Sequence, residues 1–206
     1  MIGSLPKLIL EGRTRIGSVR RQVVAHAQAG PPVEMQLKVP DFEQQDVYWC
    51  WAAVAQNLAA AYGENPRTQC EIARLVLGFE CCPEQTIDCC NTPHELSPAL
   101  EITGNLASHL SFDETIHDWE FIVKSIFNHS PIAVRIERAL AGEKPNGHVV
   151  IITGYDTASL RLYVSDPDPD GPFFVYHSDV LSRYDGDGYW NYVYLTKGTY
   201  PPDEMT

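Results

Sequence analysis

Apolar residues along this chain fall into two textures, divided near Pro131. Before it lie longer runs of helix formers. CWAAVAQNLAAAYG, from Cys50, predicts a helix that ends at Gly63, and Thr68 is placed to cap a second helix, QCEIARLVLG, which stops at Gly78. HELSPALEITG predicts a short third helix with Pro98 in its first turn. Thr115 is placed to cap a fourth, in which Ile116, Trp119, Ile122, Val123 and Ile126 recur at helical spacing.

After Pro131 the runs shorten and become β-branched and aromatic: PIAVRIE, HVVIITGYD, LRLYVSD, FFVYH and YWNYVYL, separated by Gly, Pro and Asp. Helices followed by an antiparallel sheet define an α+β class, with an active site expected where the two halves meet. Residues 1–40 are weakly patterned, and prolines at 31, 32 and 40 suit an extended connector. The reading is an N-terminal basic extension over 1–38 (leader, propeptide or linker) and one domain over 39–206.

Charge sharpens this division. Residues 1–40 hold six of the 15 Lys and Arg and two of the 27 acids, leaving nine basic and 25 acidic residues after them, a net of −16. A body that acidic repels phosphate backbones, so nucleic acid is excluded as a partner. No run approaches the ~20 apolar residues of a membrane span, and the apolar LIL near the N-terminus is too short for a classical signal peptide.

The candidate chemistry starts at QQDVYWCWAAVAQ, residues 44–56. Cys50 falls where a helix begins, and unpaired N–H groups and a partial positive charge at a helix start favour a thiolate. Free cysteines also serve as small buried apolar residues, so the reading depends on partners. Of seven histidines, His148 follows a Pro-Asn-Gly turn and opens a strand, which lets its ring project from the sheet rim. Asp166 ends the next strand. A turn at Thr157–Ser159 would bring it beside His148, where a carboxylate can fix the ring's tautomer and orientation. Asp168 and Asp170 read as an acidic turn. Gln44, or Gln45 in its place, can supply a side-chain amide to an oxyanion together with the nucleophile's own N–H. Trp49 and Gly147 are candidate substrate-binding residues beside the nucleophile and the base; Trp51 reads as packing.

The order Gln, Cys-Trp, His, Asp resembles that of papain-like cysteine peptidases, in particular the bacterial effector-protease branch related to bacteriocin-leader peptidases. Q-x5-C-W-A-A (Gln44 to Ala53), G-H-V-V-I-I-T-G-Y-D (Gly147 to Asp156) and Y-V-S-D-P (Tyr163 to Pro167) carry the likeness. It spans residues 44–167 and none of the basic extension. The resemblance implies a papain-like fold, with a helical half packed on an antiparallel sheet or half-barrel. It implies Cys50 as nucleophile, His148 as general base and acid, Asp166 as orienter and Gln44 as oxyanion donor, acting on a protein or peptide with no cofactor and no metal. It also implies a monomer, secreted or delivered by a specialised bacterial system. Val47 stands where plant-type enzymes carry an additional cysteine, the third member is Asp and not Asn, and the 98 residues from Cys50 to His148 are fewer than the roughly 130–150 of papain and cathepsins. Other acyl-transfer enzymes with the same triad (an amidase, deamidase or transglutaminase-like toxin) and an inactive papain-fold binding module remain alternatives, as does a disulfide-rich interaction domain in which Cys50 is structural.

Five of the six cysteines, Cys70, Cys81, Cys82, Cys89 and Cys90, lie within 21 residues. Disulfide stapling is the preferred reading, with structural zinc and free thiols as alternatives; CC…CC lacks the C-x2-C knuckles of a zinc site. Cys70 with one of Cys81 and Cys82, and the other with Cys89 or Cys90, fit the spacing. An odd number leaves at least one of them unpaired.

Overall fold

The structure, a computed structural model, describes residues 30–82, 90–111, 117–138 and 146–197. Twelve elements occur among them: β1 Glu34–Gln36, α1 Cys50–Ala61, α2 Gln69–Leu77, α3 Leu96–Ile102, β2 Leu106–Ser111, α4 Trp119–Phe127, β3 Ile132–Arg138, β4 Asn146–Asp156, β5 Arg161–Ser165, β6 Phe174–Tyr176, α5 His177–Ser182 and β7 Gly188–Thr196. The class is α+β, as the two textures imply. A seven-stranded sheet runs in the order β2-β7-β3-β4-β5-β6, with β1 pairing to β4. Every pair is antiparallel.

The local signals act as their chemistry dictates. Thr68 forms a capping box with Glu71 at the start of α2, and Gly78 closes that helix in the left-handed conformation. α4 departs from expectation at its start. Thr115 lies outside the described residues, and the helix opens at Trp119 with the Asp118 carboxylate accepting from Glu120 N–H.

Three elements went unforeseen. β1 lies upstream of Val39, with Glu34 paired to Asp156. β2, LASHLS, precedes α4 and pairs with β7 at the sheet's far edge; its sequence has no β-branched residue to mark it. α5, six residues long, begins at His177, the last residue of the expected strand FFVYH, and the rest of it had no predicted element.

Strand alternation builds two cores, one on each face of the sheet. Ala133, Val149, Ile151 and Tyr194 face α1, α2 and α3. Val134, Ile136, Val150, Ile152 and Val193 face Ile122 and Ile126 of α4 and Val180 of α5. α4 and α5 therefore lie apart from α1, α2 and α3 and cover the opposite face. α1 is buried along almost its entire length, and its small residues Ala52, Ala53, Ala55 and Ala59 allow neighbours to approach on every side.

Candidate active site

α1 begins at Cys50, whose N–H is one of the four at a helix start without an intrahelical acceptor. The two indoles beside it hold that start in place. Trp49 donates to Cys90 O at 2.8 Å and Trp51 to Thr92 O at 3.2 Å, while Tyr48 N–H donates to Asn91 Oδ1 at 2.9 Å. Trp51 also packs on His94, with ring centroids 5.4 Å apart. Trp49, expected at the cleft, is instead 1% exposed. Its ring is turned inward by the bond to Cys90, so it packs the core and does not line the cleft.

His148 stands on β4 opposite Ile136 of β3. β4 and β5 pair as far as Ile151 and Ser165, which brings the next residue, Asp166, under the histidine ring. His148 Nε2–H donates to Asp166 Oδ1 at 2.6 Å, which leaves Nδ1 free of the carboxylate in the cleft that Cys50 also lines. Burial works against the imidazolium. The bond to Asp166 and the interaction with Asp166 and Cys50 outweigh it, raising the His148 pKa from 6.5 to about 10.

Asp166 is held by two further donors. Asp168 N–H reaches Oδ1 at 2.9 Å, and the Tyr184 hydroxyl reaches Oδ2 at 2.6 Å. The DPDPDG turn closes over this carboxylate, and a Cβ on Gly171 would lie 2.3 Å from Asp166 Cγ. Only glycine permits that approach.

Gln44 N–H donates to Pro167 O at 2.8 Å, tying its loop to the residue after Asp166. Its side-chain amide spends one N–H on Val47 O at 2.9 Å, and its buried Oε1 has no partner among the described residues. Two helices grip the same loop. Asn57 of α1, fully buried, accepts from Phe42 N–H and donates to Phe42 O; Gln69 of α2 accepts from Gln45 N–H and donates to Glu43 O. Gln45 is thereby committed to α2, and Gln44 is the glutamine that lines the cleft.

The cleft has a volume of about 180 Å³. Cys50, His148, Gly147 and Gln44 line it with Val47, Tyr48, Pro93, His94 and Asp168. Sequence reasoning missed Pro93 and His94 and assigned Asp168 to an acidic turn. It missed Asn57 and Gln69 as well, although for Asn57 a polar residue inside an alanine-rich helix was a usable signal. Tyr184 had none.

The cysteine-rich segment supplies one wall. Cys70 is bonded to Cys82 and Cys81 to Cys90, both within the pairings that the spacing allows; Cys89 lies outside the described residues. Cys90 therefore joins the second disulfide to the Trp49 indole, and Pro93 and His94 follow it into the cleft.

A family model, Peptidase_C39_2, described as the Peptidase_C39 like family, matches residues 36–194. The chain belongs to this family, in agreement with the cysteine-peptidase resemblance carried by its motifs. No curated protein matches the chain. Solved structures that match include xylellain, a cysteine protease from Xylella fastidiosa, at 11% identity over 82% of this chain and 87% of that one, with a TM-score of 0.44. Residue roles do not transfer at that distance.

Proposed function

We propose that this protein is a cysteine peptidase that cleaves peptide bonds through a Cys50–His148–Asp166 triad, with Gln44 as oxyanion donor. The observation that carries the reading is one cleft in which a cysteine at a helix start meets a histidine already bonded to a buried carboxylate. Membership of a peptidase family supports it.

The roles follow from the geometry. His148 Nδ1 takes the Cys50 proton, and Asp166 stabilises the imidazolium through Nε2. The thiolate attacks the substrate carbonyl carbon. The oxygen that gains charge is met by the Cys50 N–H and the second N–H of Gln44. The C–N bond breaks as the imidazolium gives its proton to the departing amine, leaving a thioester. Water then loses a proton to His148, attacks the thioester and releases the acid, restoring the thiol.

The two disulfides suit an oxidising destination, so the enzyme acts after delivery outside the reducing cytosol. An epoxysuccinyl peptide inhibitor followed by peptide mapping tests the triad. Cys50 is labelled in the wild type and not in His148→Ala; equal labelling of the two, or none in either, rejects the reading. Mass profiling of a peptide library separates backbone cleavage from side-chain deamidation.

A further inference from the structure

The triad leaves one buried polar contact unused. Tyr184 is fully buried, and its hydroxyl points at Asp166 Oδ2 from 2.6 Å, on the side of the carboxylate away from His148. The phenol is held there by its backbone. Tyr184 N–H donates to Gly188 O at 2.7 Å and Gly188 N–H returns to Tyr184 O at 2.9 Å, closing the turn that feeds β7. A Cβ on Gly188 would lie 2.8 Å from Tyr184 O and 2.5 Å from Ile136 Cγ2, so the turn closes only on glycine. The tyrosine thus comes from an element separate from those that carry Cys50, His148 and Asp166.

We propose that Tyr184 is a positioning residue of this active site. Its hydroxyl pins Asp166 Oδ2, the other oxygen is then aimed at His148 Nε2, and the carboxylate cannot rotate away as the imidazolium forms. A carboxylate held by His148 and Asp168 N–H on one oxygen alone would keep its second oxygen buried and unanswered, a costly arrangement in a site only 4% exposed at that side chain. The inference rests on the peptidase reading above, because the work it assigns to Tyr184 is to orient that triad.

The test is a double-mutant cycle over wild type, Tyr184→Phe, Asp166→Asn and the double variant. It is read as the rate of Cys50 alkylation by iodoacetamide across pH, which needs no substrate. At pH 6 an ordinary thiol of pKa about 8.5 is almost wholly protonated, so the labelling rate there reports thiolate paired with imidazolium. Tyr184→Phe is expected to slow labelling at pH 6 by about 3–10-fold and to move the alkaline limb to lower pH, since a carboxylate free to turn holds the imidazolium less well. In the Asp166→Asn background the same substitution should change little. On a cleaved peptide, kcat falls by a similar factor and KM stays near the wild-type value.

Additive effects in the cycle, or a Tyr184→Phe profile that superimposes on the wild type, overturn the proposal. Should Tyr184→Phe not fold, site-specific 3-fluorotyrosine at 184 keeps shape and donor while making the phenol more acidic. It should then shift the low-field nitrogen-bound proton resonance of His148, and an unmoved resonance overturns the proposal. The outcomes are distinct from those of the peptidase reading, which fails if His148→Ala leaves the labelling of Cys50 unchanged.

Discussion

At the scale of single residues, the proposed mechanism separates groups that react from groups that aim them. Gln44 and Gln45 are adjacent and chemically identical, yet the first lines the cleft and the second is bonded to Gln69. Gln44→Ala should therefore lower kcat by about 10²–10³ with little change in KM, while Gln45→Ala stays near wild type in steady-state assays of peptide cleavage. Burial opposes the His148 charge but Asp166 and Cys50 raise its pKa to about 10, so under the proposed mechanism His148 should set the alkaline limb of activity. In Asp166→Asn the charge that favours the imidazolium is gone, so that limb should move down toward the 6.5 of an ordinary histidine. A pH profile of kcat/KM that keeps its alkaline limb near 10 would show that Asp166 does not set it. Cys50, His148 and Asp166 were legible because each follows a local signal: a helix start, a glycine turn, a strand end. Trp49 was misplaced because an indole beside a nucleophile suits a cleft or a core equally, and only its bond to Cys90 O turns it inward.

At the scale of elements, the start of α1 at Cys50 is braced from two directions. The segment from Cys90 to His94 accepts from Tyr48, Trp49 and Trp51 and forms a wall of the cleft, and the Cys81–Cys90 disulfide fastens its first residue. Replacing Cys81 with Ser should cost about 2–4 kcal/mol of stability, seen as a fall in Tm, and should raise KM more than it lowers kcat. An unchanged KM would separate the disulfide from the cleft. On the other side, Asn57 holds the loop that carries Gln44. Asn57→Ala leaves Phe42 N–H and O without their partner at a part-buried site, an expected loss of about 1–3 kcal/mol in chemical denaturation, accompanied by a fall in kcat. The long helices and strands were legible from their runs of residue types. β2 and α5 were not, because each is short and weakly patterned, and β2 gains its hydrogen bonds only from the neighbouring β7.

For the molecule as a whole, the His148–Asp166 pair links stability to pH. The folded His148 pKa lies above its ordinary value, so protonation favours the folded state. That contribution is complete below pH 6.5 and is lost as pH rises through about 10. Urea midpoints of the wild type should therefore decline across this window, and the decline should be smaller in His148→Ala; parallel declines would exclude the linkage. Among the described residues no helix is long and apolar enough to cross a membrane.

The amino-acid sequence by itself determined the α+β class, the main helices and strands and the candidate residues Cys50, His148 and Asp166, because these depend on local propensity, capping and short-range spacing. The tertiary structure alone decided which glutamine faces the cleft, which tryptophans are core, that α4 covers the opposite face of the sheet from α1, and that Tyr184 reaches Asp166. Those outcomes depend on strand register and on hydrogen bonds between residues far apart in the chain, which nothing local to either partner encodes.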